Sequence, residues 1–187
     1  MKNLFQGELV RLTAVNVEKD AQTVASWSRD SEYGRLLDSD PAIPKSLKST
    51  QDNIARWMEA DKPDNIGFVI RTLAEDRLIG FVGLNGIRWK DGDAFIGIGI
   101  GEREYWGNGY GTDAMHVTLR YAFTELNLHR VSLNVFEYNP RAIRSYEKAG
   151  FSVEGCERQA LCRDGNRYDV ISMGILREEW GKRTKDD

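Results

Sequence analysis

At 187 residues with 41% hydrophobic side chains, the chain is long enough to bury one core and too short for two ordinary domains. Its formal net charge of -3 argues against a nucleic-acid partner, and no apolar run approaches the ~18 residues of a membrane span. Cys156 and Cys162 fit no metal-ligand spacing and only two histidines are present, so no metal is expected and both thiols are read as unpaired in a reducing, cytoplasmic compartment.

Residues 8–14 alternate, with Leu9, Arg11 and Thr13 against Val10 and Leu12, and predict a first strand. A helix is expected over 17–28, containing Val24 and Trp27. From Asp30 to Ser46 the pattern is irregular, with Pro41, Pro44 and four acids at Asp30, Glu32, Asp38 and Asp40. This stretch reads as a solvated loop, or alternatively as a cation-selecting rim over an amine site. A second helix is expected over 49–59, with Ser49 and Asp52 as a weak capping box, broken by Asp61-Lys62-Pro63-Asp64-Asn65. Strands are expected at 66–72 and 78–87, joined by a charged turn at 74–77. In the next expected strand, 94–101, Gly97, Gly99 and Gly101 alternate with Ile96, Ile98 and Ile100. One face of it is therefore bare backbone, which marks close approach by a ligand or another chain.

The most informative segment follows: Glu104-Tyr105-Trp106-Gly107-Asn108-Gly109-Tyr110-Gly111-Thr112. Its glycines let backbone N–H groups face inward, and it opens into a helix predicted over 109–126, whose N-terminus adds unpaired donors and a positive dipole end. Such a cradle suits phosphate oxygens, above all a pyrophosphate. The predicted helix carries a polar stripe at Asp113, His116, Arg120 and Thr124. A strand is expected over 130–137. Asn139 and Pro140 then supply an N-cap and a first helical residue, and Gly150 closes that helix. Final strands are expected at 151–155 and 168–176, with a turn at 163–166, and the tail 182–187 is read as frayed. The glycine pattern is GxGxG deep in the chain, which does not fit a Rossmann site, and no P-loop motif occurs.

Three segments in order carry a resemblance. They are Tyr105-Trp106-Gly107-Asn108-Gly109-Tyr110-Gly111, the run from Ala122 to Arg130, and Asn139-Pro140-Arg141-Ala142-Ile143-Arg144-Ser145-Tyr146-Glu147-Lys148-Ala149-Gly150-Phe151. Together they resemble the GNAT superfamily of acetyl-CoA-dependent N-acetyltransferases, in the branch of ribosomal-protein N-terminal and spermidine acetyltransferases. The resemblance implies an α/β (α+β) fold: a mixed, mostly antiparallel sheet of six to seven strands, split near its centre, with helices on both faces. It implies a single domain over 1–187, with its core at about 8–176.

The resemblance also implies direct acetyl transfer from acetyl-CoA, as co-substrate, to an amine. The amides of Gly107 to Thr112 would hold the pyrophosphate, with Trp106 at the loop's start. Backbone at Ile100 and Gly101 would hold the pantetheine arm, the strand glycines leaving room for it, and an N–H near Ile100 would stabilise the oxyanion. Tyr146 matches the tyrosine that protonates the leaving thiolate, and Asn139 would cap its helix and touch the pantetheine. Relatives place a basic glutamate where this chain has Ile96 or Asn134, so a water relay oriented by Asn134 or Glu102 is expected instead. The acceptor is left open between a protein N-terminal amine, a polyamine, an aminoglycoside-like drug and another small amine. A non-catalytic acetyl-CoA-binding regulatory module is the alternative function, and a homodimer is expected on general frequency alone.

Overall fold

The computed structural model describes residues 3–58 and 64–186, with side chains at 3–55 and 64–182. In chain order the elements are β1 (Val10–Thr13), α1 (Val17–Trp27), α2 (Ser31–Leu37), α3 (Leu47–Met58), β2 (Ile66–Thr72), β3 (Leu78–Arg88), β4 (Asp93–Ile100), α4 (Tyr110–Arg120), β5 (Arg130–Phe136), α5 (Pro140–Ala149), β6 (Ser152–Arg163), β7 (Asn166–Leu176) and α6 (Arg177–Asp186). The strands form one open seven-stranded sheet in the order β1-β2-β3-β4-β5-β7-β6. Every pairing is antiparallel except β4 with β5. Those two run parallel over three positions only, Asp93 to Phe95 against Arg130 to Ser132. Beyond Phe95 the ladder ends, so Ile96–Ile100 face a gap. This is the central split that the resemblance implies.

Strand alternation gives the sheet two apolar faces. Ile70 and Ile79 join the larger core with Met115, Leu119 and Phe123, on the side where α4 and α5 pack. Their neighbours Val69 and Leu78 join a second core with Trp27, Tyr33 and Ile54, on the side of α1 and α3. The polar stripe of α4 anchors the N-terminal segment. The Asp113 carboxylate accepts the N–H groups of Glu8, Leu9 and Val10 at 3.1, 2.8 and 3.0 Å. One turn pair further, Arg120 donates to the carbonyls of Leu4 and Gln6. Among the described residues, no helix is long and apolar enough to cross a membrane.

Several expectations need correction. The stretch read as an irregular loop contains α2, started by Asp30, whose side chain accepts from the N–H groups of Glu32 and Tyr33. The capping hydroxyl of α3 is that of Ser46, not Ser49: it accepts the Ser49 N–H at 3.1 Å. Most of the expected break at 61–65 lies outside the described residues. The long central helix ends its α-helical part at Arg120 and continues as a π-helical turn over Tyr121–Glu125. β6 and β7 are far longer than expected, meeting at a tight turn with Asp164 and Gly165 at φ 51° and 76°. The tail is helical to Asp186, and Asp187 lies outside the described residues. Glu179 caps α6 by accepting the Leu176 N–H at 2.8 Å, and the Trp180 ring packs on Phe123 with centroids 5.5 Å apart.

The glycine face of β4 also departs from expectation. A Cβ at Gly99 would sit 2.7 Å from the Tyr33 hydroxyl, and one at Gly101 would sit 2.0 Å from the Trp27 indole. The bare backbone there receives the protein's own aromatic rings. Of the three strand glycines, Gly97 alone keeps open space, with Asn85 Nδ2 at 3.8 Å.

Candidate active site

The glycine-rich loop runs from β4 into α4. Gly107 and Gly109 adopt φ of 77° and 88°, left-handed values that a side chain would oppose. Gly109 is the N-cap of α4, and the first intrahelical bond is donated by Asp113 to its carbonyl at 2.9 Å. The amides of Tyr110, Gly111 and Thr112 therefore have no carbonyl below them. They are pre-aimed donors at the positive end of the helix. The Asn108 side chain turns back to donate to the Glu104 carbonyl at 2.9 Å, bracing the loop. Thr112 and Ser145 share a hydroxyl–hydroxyl bond of 2.8 Å that ties α4 to α5.

Trp106 locks the start of this loop. Its indole N–H donates to the Ile100 carbonyl at 2.7 Å. The guanidinium of Arg141 lies 3.9 Å from its ring centre and that of Arg103 lies 4.9 Å from it. Burial pulls the Arg141 pKa below its ordinary value. Arg103 is held in turn by Asp30, at 2.5 and 2.7 Å, and by Glu32 at 2.7 Å. The pairing with Arg103 holds the Asp30 carboxyl below the usual carboxylate range.

A cleft of about 250 Å³ lies between this loop, the gap-facing edge of β4 and the α5 side chains Arg141, Arg144 and Tyr146. The edge can be read from its hydrogen bonds. Gly101 donates to Ile79 at 2.8 Å on the β3 side, whereas the Gly92 carbonyl accepts from Arg130 at 3.1 Å on the β5 side. Alternation then turns the N–H and C=O groups of Ile98 and Ile100 into the split. The Gly101 N–H is thus already engaged by β3, and the Ile100 carbonyl by Trp106. What the edge offers a ligand is the N–H of Ile100 and both polar groups of Ile98. An extended arm can pair with such an edge as an added strand.

Tyr146 projects from α5, whose start is fixed by Asn139. The Asn139 Oδ1 accepts the Ala142 N–H at 3.2 Å, Pro140 follows at the first helical position, and Gly150 closes the helix at φ 106°. The Tyr146 ring stands edge-on to Phe151 at 6.2 Å, and burial pushes its pKa up to about 12. Tyr146, Asn139 and Ile98 border both the cleft and a larger cavity of about 780 Å³.

Asn134 borders the larger cavity too, and its Oδ1 accepts from the Ser172 hydroxyl at 3.0 Å. Glu102 borders neither space. It accepts the Trp27 indole N–H at 2.8 Å and pairs with Arg77 at 2.9 Å. The two residues expected to orient a water are therefore apart, and only Asn134 shares a cavity with Tyr146. Sequence reasoning missed Tyr33, Arg141 and Ser145 in the lining of the cleft. Tyr33 is 6% exposed, its hydroxyl has no hydrogen-bond partner, and burial raises its pKa. It sat in the stretch read as a loop, where only the Asp30 cap signalled a helix. Among the described residues, no cluster of three or more His, Cys, Asp or Glu side chains could hold a metal ion, and both cysteines are free and exposed.

Comparison with known proteins gives concordant results. A model of the acetyltransferase (GNAT) domain matches residues 10–152. A probable N-acetyltransferase of Bacillus subtilis, YjcK, is 37% identical over 133 residues, covering 70% of this chain and 73% of that protein. The spermidine N(1)-acetyltransferase of Vibrio cholerae is 35% identical over 112 residues, 60% of this chain and 64% of that one. The crystal structure of spermidine N-acetyltransferase from Vibrio cholerae in complex with CoA and spermine superposes with a TM-score of 0.80 at 25% identity. That match covers 91% of this chain and 97% of the other. With the split sheet, the glycine loop and the helix after Asn139 all in their places, the chain belongs to the GNAT family and is an acetyl-CoA-dependent N-acetyltransferase.

Proposed function

We propose that the protein, as one catalytic domain, acetylates a primary amine by direct attack on acetyl-CoA in a ternary complex, with Tyr146 as the general acid. The smaller cleft takes the nucleotide and its arm. The larger cavity takes the amine. The observation that carries this reading is that Tyr146, with a hydroxyl that stays protonated far above neutral pH, borders both spaces.

Bound acetyl-CoA supplies a thioester: a C–N bond forms to the amine nitrogen as the C–S bond breaks. The chain's own groups then have separate tasks. The amides of Tyr110, Gly111 and Thr112 hold the pyrophosphate, with Arg141 and Arg144 close by. The Ile98 backbone pairs with the pantetheine arm. The Ile100 N–H donates to the acyl oxygen as negative charge builds there; losing such a donor typically costs about 100- to 1,000-fold in rate. The Tyr146 hydroxyl gives its proton to the leaving sulfur and is reprotonated from solvent. Asn134, which borders the same cavity as Tyr146, orients a water that takes the proton from the attacking amine.

Free-thiol release from acetyl-CoA tests the reading. Release is expected with a primary amine present and at background rate without one. Thiol release indifferent to amines, from folded protein that binds CoA, would overturn it.

A further inference from the structure

The larger cavity has an unusual composition for a site that takes a cationic substrate. Its walls come from both layers of the fold: Val24 and Ile54 from the helices, Val69 and Phe81 from the sheet, Phe136 and Leu161 from beyond the split. The titratable side chains that border it are Asp38, Lys45, Glu157 and Tyr146. The first three are all exposed. The rest of the polar lining is uncharged, with Asn85 on β3 and Asn139 at the start of α5.

The acids of α2 do not change this. Asp30 and Glu32 are both engaged by Arg103 and border neither edge of the larger cavity. Of the acids in the 30–40 stretch only Asp38 borders the larger cavity, joined by Glu157 from β6 and opposed by Lys45. A polyamine carries several ammonium groups, and beyond what Asp38 and Glu157 can pair against Lys45, each one buried against Val, Ile and Phe side chains loses hydration that nothing replaces.

The Asp38–Ser39 segment that borders the cavity is also tied down. One Arg163 nitrogen donates to the carbonyls of Asp38, Ser39 and Asp40 at 2.9, 2.7 and 3.0 Å. Arg35 pairs with Asp164 at 2.6 Å, and the Tyr138 hydroxyl donates to the Arg35 carbonyl at 2.6 Å. These contacts join α2 and the α2–α3 connection to β6 and the β6–β7 turn.

We infer that the acceptor is a small primary amine with an apolar body, aromatic or branched aliphatic, and no second positive charge. The inference rests on the assignment of the larger cavity to the amine. In it, the apolar body lies among Val24, Val69 and Phe81, and the single nitrogen reaches Tyr146 and Ile98, where it loses its proton to solvent through the water held at Asn134. No further charge then needs a partner.

Calorimetric titration of the CoA-saturated enzyme with 2-phenylethylamine, spermidine and a tripeptide with a free amino terminus tests this directly. 2-Phenylethylamine is expected to bind at least tenfold more tightly than either of the others, and thiol release from acetyl-CoA should rank them in the same order. Val24→Glu, which puts a carboxylate on the apolar wall, should shrink the preference over spermidine at least tenfold with CoA affinity unchanged. If that variant fails to fold, the wild-type titrations decide. Tighter binding of spermidine or of the tripeptide, or no binding of 2-phenylethylamine, overturns the inference and leaves the acetyltransferase assignment standing. Binding of 2-phenylethylamine without its acetylation would instead overturn the catalytic assignment and leave the inference about the cavity standing.

Discussion

Trp106 is the hinge pin of the glycine-rich loop proposed to hold the nucleotide, and its removal has a calculable effect. Its indole N–H bond to the Ile100 carbonyl, 2.7 Å long, is a neutral bond worth about 1 kcal/mol net. The Arg141 contact at 3.9 Å adds about 1 kcal/mol. The Arg103 contact at 4.9 Å adds about 0.5 kcal/mol, at the low end because Arg103 is 52% exposed. Trp106→Ala therefore removes about 2–3 kcal/mol of loop order, which CoA binding must then supply. The CoA dissociation constant should rise by roughly 30- to 150-fold, while kcat at saturating acetyl-CoA changes by less than about threefold. Trp106→Phe keeps both cation–ring contacts and loses only the hydrogen bond, so its CoA affinity should fall about fivefold. Calorimetry with CoA on both variants measures this, with melting curves to show that each is folded. Unchanged affinity in Trp106→Ala would refute the pinning role. Equal losses in the two variants would refute the share given to the stacked guanidinium groups.

Three further outcomes are expected. Tyr146→Phe should lower kcat at least tenfold with CoA affinity within about twofold, because the ring packing on Phe151 survives and only the proton source is lost; equal turnover would remove Tyr146 from the mechanism. With a hydroxyl pKa pushed up to about 12, Tyr146 stays protonated through the working range. A steady-state profile of kcat/KM should therefore climb with deprotonation of an aliphatic amine near pH ~10 and show no falling limb before that; a fall near pH ~8 would mean a different acid. Gly101→Ala should cost about 3 kcal/mol, since its Cβ meets the Trp27 indole at 2.0 Å and forces the Trp27–Glu102 bond to break; a melting temperature within ~2 °C of wild type would show that the indole moves aside freely.

What the sequence discloses here is what is encoded locally. The glycine-rich loop is legible because left-handed Gly107 and Gly109 need glycine, and because the helix after it is unmistakably periodic. Asn139, Pro140 and Gly150 punctuate α5 for the same reason: each acts on backbone within four residues of itself. α2 was hidden because it is seven residues long and contains Gly34, so only the Asp30 cap announced it. β6 was under-read because nearly all of its side chains are exposed and no buried face imposes a period of two. The use of Gly99 and Gly101 was invisible for a deeper reason. A glycine states that something comes close, and only tertiary packing says that the visitors are Tyr33 and Trp27 rather than a ligand. Glu102 shows the same gap: its neighbours Trp27 and Arg77 lie far away along the chain.

One contact described earlier bears on how this loop tolerates its own surroundings. Asp113 stands one residue past the donor amides of α4, where a bare carboxylate would push a pyrophosphate away. Its oxygens are instead wrapped by the N–H groups of Glu8, Leu9 and Val10, a small nest that soaks up the anion and turns its field outward. The first strand is thus an electrostatic shield as well as a sheet edge. A chain trimmed ahead of Leu12 would uncover that charge beside the donor amides of α4 while leaving the amides themselves in place.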